Sequence, residues 1–399
     1  MWVFGYGSLM ADEWEDRYGC VRRTLATLRG FRRTFTKAST KNWGSKEVPC
    51  PTLNLEKAEN AECRGVAFHF PDPSDMAVRT YLAEREGEGF PLEEVAIYLE
   101  DGTKVPAYTP IYHGSNLITI DEGEKAHMIG QASGSNGSCR NYIKQVVDLL
   151  DGLHIGDTAV SSLWKAVQDL AFNALINETR GRIELLEASL PKALDGYALC
   201  PTSKLPMKAL LYREGLMWRM SELSRTGFDN LEKENLNTAV ILVRAAVETA
   251  AALWYLETKL EEAVTKKSKG DIDDFLMKLL MGSKTVPELP QAINVLTFVD
   301  RVNRDVEGFR EQYDNLSEFA HPNWAGTSLL YSKLDSKTAR TKFAKNIRSL
   351  TSTKRVTMVN LNVALMIFER TYEKVGNVMP AFIELCSETE EGSAPRSPG

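Results

Sequence analysis

With 399 residues, 43% of them hydrophobic and 26% charged, the chain has the composition of an ordinary soluble globular protein and room for about two or three domains. Its 48 basic residues against 54 acidic ones leave a formal net charge of −6, which argues against a general nucleic-acid binder. The six cysteines, Cys20, Cys50, Cys63, Cys139, Cys200 and Cys386, are scattered without a Cys-x-x-Cys pair. That spacing argues against a zinc site and against a disulfide framework, and it fits a reducing cytoplasm. The opening apolar run lacks a basic flank and is broken by Asp12 and Glu13, so it does not read as a secretory signal. No uninterrupted apolar run approaches the roughly 18 residues that cross a bilayer, so no membrane contact is expected.

Taken in order, the chain opens on an apolar strand, Val3 and Phe4, that runs at once into Gly5, Tyr6, Gly7, Ser8 and Leu9. Glycines in such a turn let backbone N–H groups approach an anion closely; the same pattern also serves as a plain structural turn. Residues 66–70, 95–99 and 105–108 read as strands, the last two joined by a hairpin over Glu100-Asp101-Gly102. A short helix fits 73–84, and a turn cluster at 134–138 precedes a helix whose apolar face is Tyr142, Ile143, Val146, Val147 and Leu150. Short strands with a few helices predict an α+β domain over 1–157 built on a small closed β-sheet with flanking helices.

Beyond residue 157 the texture changes to long helices. Leu163, Trp164, Val167, Leu170, Ala171, Leu175 and Ile176 recur at helical spacing, and a Pro- and Ser-marked linker covers 189–206. Helical patterns follow over 207–221, 231–262, 272–281, 302–319, 337–350 and 356–385, which predicts an all-α bundle over 158–386. The polar stretch 387–399 reads as a disordered tail. The segment 238–260 is apolar on nearly every side and reads as a central helix, with Arg244 and Glu248 four residues apart on one face. Buried charges must be paired, so these two are expected to bond each other or a group within 313–323.

A second stretch decides how the opening turn is read: Tyr81, Leu82, Ala83, Glu84, Arg85, Glu86, Gly87, Glu88, Gly89 and Phe90. On chemistry alone Glu84, Glu86 and Glu88 are equal candidates for an acid/base. The two stretches together, in this order, resemble the ChaC-like gamma-glutamylcyclotransferases. The resemblance covers about the first two-fifths of the chain and implies a specific reaction. The α-amine of a γ-glutamyl compound attacks its own γ-carbonyl, closing 5-oxoproline and expelling the second amine, with no metal and no cofactor. It also implies roles. Tyr6, Gly7, Ser8 and Leu9 form the substrate-binding loop, and the pattern of an arginine before the glutamate and x-x-Gly-aromatic after it selects Glu86 as the catalytic residue. The implied substrate is a small γ-glutamyl peptide, with glutathione the family's usual one, released as 5-oxoproline and Cys-Gly. A fold of this kind that only binds such a metabolite and reports it to the helical part is the alternative.

Residues 35–55 occupy the place where relatives carry a loop closing over the substrate, with Ser39, Thr40 and Thr52 as polar contacts or simple turn residues. The basic run Arg29, Arg32, Arg33, Lys37 and Lys41 reads as a solvated rim that can also steer an anionic peptide. Tyr112 and His113 follow a strand where a substrate contact can fall. The helical part resembles HEPN-like and DUF5677-type domains through its Arg-x-x-x-Glu helix and the Leu316-Ser317 to His321-Pro322 segment. Leu316, Asn315 and Asp314 stand where a HEPN ribonuclease would need its arginine before His321, so that resemblance implies binding, sensing or a homodimer through the helical domain rather than RNA cleavage. His321 is expected to be a buried, helix-ending residue.

Overall fold

A computed structural model describes residues 1–387 other than Asp12, Glu88 and Ser349. The chain divides into two units, Met1–Asn173 and Ala174–Gly399.

The first unit is a five-stranded closed barrel with helices against it. Strands β1 (Trp2–Gly5), β2 (Arg22–Ser39), β3 (Cys50–His69), β4 (Leu92–Leu99) and β5 (Lys104–Pro110) are ordered β1-β3-β2-β4-β5. The barrel closes where Val3 pairs in parallel with Tyr108. β2 pairs with β4 over Ala26–Leu28, and the antiparallel β1–β3 pairing runs up to Gly5 and Val66, which brings the end of β1 beside β3. Strands β2 and β3, of 18 and 20 residues, extend well beyond the segments that alternation shows. Their outward positions are charged and their register shifts between Arg29 and Phe31 and again between Thr34 and Lys37, which breaks the simple period of two. Phe4, Trp14, Leu28, Phe68, Phe70, Leu82 and Ile97 fill the interior and are almost wholly buried. Each such side chain contributes about 1.5–3 kcal/mol on removal from water.

Helix α1 (Asp75–Glu86) lies between β3 and β4. Helix α2 (Glu122–Gln131) starts from a reciprocal cap in which the Asp121 carboxylate accepts the Glu124 N–H and the Glu124 carboxylate accepts the Asp121 N–H. A tight hairpin of β6 (Ser133–Gly134) and β7 (Gly137–Ser138) leads into α3 (Cys139–Gly152), whose first turn is capped by the Ser138 hydroxyl. Ile143, Val146 and Leu150 form its buried face. A disulfide joins Cys50 at the start of β3 to Cys139 at the start of α3, 89 residues apart. The scattered cysteines therefore include one cross-link, contrary to the sequence expectation. Spacing along the chain carries no sign that the barrel brings these two positions together. Cys20, Cys63, Cys200 and Cys386 are free. Helix α4 (Thr158–Ala188) begins in the first unit and continues into the second.

The second unit is largely helical: α5 (Gly196–Leu199), α6 (Leu205–Glu232), α7 (Leu236–Thr265), α8 (Ile272–Met281), α9 (Val295–Asn303), α10 (Phe309–Ala320) and α11 (Thr351–Ser387), with a hairpin of β8 (Ser332–Asp335) and β9 (Arg340–Phe343). Helices α6, α9, α10 and α11 all pack on α7. By length and composition α7 could cross a membrane, and its most apolar window, interrupted by Arg244 and Glu248, is 61% buried among its neighbours, as in the core helix of a bundle. Three predicted helices are corrected. The pattern over 231–262 breaks after Glu232, where Glu234 turns to a positive φ of 56°. That over 302–319 breaks at Gly308, φ 82°. Residues 337–350 hold no helix among the described ones but the exposed strand β9, because Asp335 binds the backbone N–H of Lys337 and the hydroxyl of Thr338 and turns the chain back. The tail expected over 387–399 lies outside the described residues except for Ser387, the last residue of α11.

Candidate active site

A cavity of about 580 Å³ opens on the first unit and brings the two sequence stretches together: Tyr6, Gly7, Ser8 and Leu9 line one wall, Arg85 and Glu86 another. The turn after β1 is shaped by what holds its carbonyls. The Tyr6 carbonyl accepts Arg33 Nε at 2.7 Å, Gly7 accepts the Met10 N–H at 2.9 Å, Ser8 accepts the Ala11 N–H at 3.1 Å, and Leu9 accepts Trp14 Nε1 at 3.0 Å. With its carbonyls bonded to protein, the turn has its amide N–H groups to offer a ligand. The glycines serve close approach here rather than left-handed backbone. A Cβ on Gly5 would lie 3.2 Å from Leu9 Cβ, and one on Gly7 would lie 3.2 Å from Leu53 Cδ1.

Arg33 is the anchor of this wall. Its side chain is wholly buried, and besides Tyr6 it reaches the Arg64 carbonyl on β3 and the Asp157 carboxylate at 2.9 Å. Asp157 in turn accepts the Val160 N–H at the start of α4. A guanidinium with several acceptors is a satisfied buried cation, and it locks β2, β3 and the turn in one arrangement.

Glu86 is the last residue of α1. The helix stops there because Gly87 adopts φ 76°, a conformation that few other residues tolerate. Burial raises the Glu86 carboxyl above the ordinary carboxylate range, against the opposing pull of Arg85 and Lys37. Arg85 Nε lies 3.7 Å from its carboxylate and donates through Nη1 to the Tyr81 hydroxyl and through Nη2 to the Ser8 carbonyl. Burial likewise raises the Tyr6 phenol, with the Glu86 charge adding to it. Of the rival glutamates, Glu84 is exposed on α1 and does not line the cavity, and Glu88 lies outside the described residues.

The remaining walls come from residues that the sequence marked weakly or not at all. Ser39 and Thr52 line the cavity and Thr40 does not. Tyr142, from α3, is half-buried and accepts the Leu53 N–H through its hydroxyl at 3.0 Å, leaving its own proton to donate. Its ring packs on Trp43 with centroids 5.4 Å apart. The hairpin before α3 docks on the same loop, as Ser135 and Asn136 donate N–H bonds to the carbonyls of Lys41 and Asn42. Lys37 lies in the cavity wall and not on a solvated rim. No sequence signal separates Lys37 from Arg29 and Arg32, because the register shift between Thr34 and Lys37 interrupts the period of two. Tyr112 is buried against Phe90, and His113 is exposed and pairs with Glu93; neither lines the cavity.

In the second unit, Arg244 donates to the Tyr313 hydroxyl at 2.9 Å, which donates to Glu248 at 2.9 Å, while the two charged groups lie 3.3 Å apart. His321 caps α10 but is exposed, not buried, because the chain leaves the bundle at Pro322.

A barrel that encloses a carboxylate of raised affinity for protons, a turn rich in N–H donors and a phenol defines a small-molecule site equipped for acid–base chemistry. Sequence relatives of the first unit are known. The family described as ChaC-like protein matches residues 1–170. Gamma-glutamylcyclotransferase 2-1 of Arabidopsis thaliana is 30% identical over 156 residues, covering 36% of this chain and 70% of that protein. The glutathione-specific gamma-glutamylcyclotransferase of Escherichia coli is 28% identical over 180 residues, covering 43% of this chain and 74% of that one. A crystal structure of the yeast cyclotransferase specific to glutathione matches 42% of this chain and 96% of its own at 21% identity, with a TM-score of 0.38. Over residues 1–170 the chain belongs to the ChaC-like family of gamma-glutamylcyclotransferases.

Proposed function

We propose that the first unit cleaves a γ-glutamyl peptide, with glutathione the leading candidate, to 5-oxoproline and Cys-Gly. The observation that carries this reading is the shared cavity of the Gly7–Leu9 amides and Glu86. The substrate's α-ammonium must lose a proton before its nitrogen can attack the γ-carbonyl. Glu86 takes that proton as a carboxylate and, as the carboxylic acid, returns it to the departing peptide nitrogen. A buried carboxyl of raised pKa suits both halves of the exchange better than an ordinary surface glutamate. The turn amides hold the α-carboxylate and receive charge that develops on the carbonyl oxygen. Attack within one molecule forms a five-membered ring, so folding the substrate against the barrel wall supplies much of the rate.

Incubation of the purified chain with glutathione, followed by assay for 5-oxoproline and Cys-Gly, tests the reading. Stoichiometric release of both is expected. Binding of γ-glutamyl compounds by calorimetry with no product from any of them would replace the enzyme by a metabolite-binding module. For the second unit, the pairing of Arg244, Glu248 and Tyr313 and the His321-Pro322 helix end support a HEPN-like sensing or dimerising domain. Light scattering of the full chain checks the homodimer.

A further inference from the structure

Four basic residues of β2 look alike in the sequence, yet three have a carboxylate partner: Arg29 with Glu62 at 3.1 Å, Arg32 with Glu56 at 3.3 Å, and Arg33 with Asp157 at 2.9 Å. Lys37 differs. It is half-buried in the cavity wall, and among the described residues its ammonium makes no ion pair and no side-chain hydrogen bond. The ammonium faces two aromatic rings, with Nζ 5.4 Å from the ring centroid of Phe90 and 5.6 Å from that of Tyr112. Ring faces attract a cation, but more weakly than a carboxylate does once water is excluded. Removal from water holds the Lys37 ammonium below its usual pKa, and the Glu86 charge only partly offsets this. Leaving a desolvated ammonium without a counter-ion is unfavourable for folding, and a ligand that brings an anion reverses the balance.

We infer that Lys37 is the counter-ion for a carboxylate of the bound substrate, which makes it a binding and specificity residue for anionic γ-glutamyl compounds. This rests on the γ-glutamyl reading above. Two carboxylates of glutathione can meet it: the α-carboxylate, common to all γ-glutamyl compounds, and the glycyl carboxylate of the departing peptide. Because Lys37 is electrostatically coupled to Glu86, its removal also deprives the acid/base of a cation that favours its charged form.

The test compares wild type, Lys37→Met and Lys37→Arg with two substrates, glutathione and its glycyl ethyl ester. For Lys37→Met, KM for glutathione should rise about tenfold or more with a smaller change in kcat, and Lys37→Arg should recover much of it. An equal rise on the ester assigns the contact to the α-carboxylate; a rise confined to glutathione assigns it to the glycyl carboxylate. The acidic limb of kcat/KM should move to higher pH in Lys37→Met, a shift that a purely structural residue would not cause. The thermal midpoint should be unchanged or raised. Unaltered KM for both substrates, or a loss of affinity matched by a fall in thermal midpoint, would overturn the inference. Should the wild type bind glutathione without turning it over, the cyclotransferase reading fails while this one is still decided by calorimetry: about tenfold weaker binding by Lys37→Met supports it, and equal binding refutes it.

Discussion

Arg33 in the barrel and Arg244 in the helical unit are both guanidinium groups held by the fold, and they bond to different kinds of partner. Arg33 spends its donors on backbone carbonyls and a helix-capping carboxylate, and so shapes a turn whose amides are left to a ligand. Arg244 joins Tyr313 and Glu248 through its Nη2 in a ring made within the chain, while its buried Nε is without a hydrogen-bond partner. The same contrast runs through both units. Around the barrel cavity, Glu86 and Lys37 carry charge that the protein only partly compensates. In the bundle, Arg213 pairs with Glu214, which accepts the Tyr372 hydroxyl, and Arg182 pairs with Glu369. Polar groups satisfied within the chain hold structure; polar groups left incomplete at a cavity are where a substrate completes the set.

Substitutions can break this contrast. The largest effect is expected from Glu86→Gln, which should lower 5-oxoproline release by about 10²- to 10⁴-fold while the thermal midpoint holds. A carboxyl whose pKa is raised by burial gains no stability from its charge, so the neutral amide should fold at least as well. Next comes Arg33→Met, which takes the cation from the half-buried Asp157 carboxylate and the donors from two carbonyls; chemical denaturation should show a loss of about 3–5 kcal/mol. Removing the Cys50–Cys139 cross-link by the double change to alanine should cost about 2–4 kcal/mol, read in the same way, since it opens a loop of 89 residues. The smallest effect belongs to the bundle. Tyr313→Phe removes a hydroxyl but leaves Arg244 and Glu248 to pair directly, so a loss of about 1 kcal/mol is expected. A loss from Tyr313→Phe as large as that from Arg33→Met would erase the distinction between the two networks.

The pH profile sharpens it further. In the proposed reaction Glu86 starts as a carboxylate, so kcat/KM should fall as pH drops through its pKa. Because burial raises that pKa, the fall should be centred above the ordinary glutamate value of about 4.3. A limb centred at or below that value would mean that Glu86 is not the titrating base.

What could be read from the sequence was local. The opening turn and the Arg85-Glu86-Gly87 helix end are each written in a few consecutive residues, and short apolar strands such as 95–99 declare themselves by composition. The rest depends on residues meeting from far apart. Arg33 and Lys37 are indistinguishable from Arg29 and Arg32 until the folded strand pair, with register shifts after Arg29 and after Thr34, turns them inward. Cys50 and Cys139 become neighbours only when α3 docks on β3. Tyr142 was visible as part of a helical face, but not as a hydroxyl reaching Leu53 across the cavity. In the helical part, periodicity located the helices but passed through breaks at Glu234 and Gly308, where one positive φ stops a helix without interrupting the apolar pattern.

The most direct test of the central claim is the time course of 5-oxoproline formation from glutathione by wild type and Glu86→Gln at equal concentration, with glutathione binding measured on both. Sustained turnover by the wild type is expected, with none above background by a Glu86→Gln protein that still binds. Equal rates from the two proteins would contradict it.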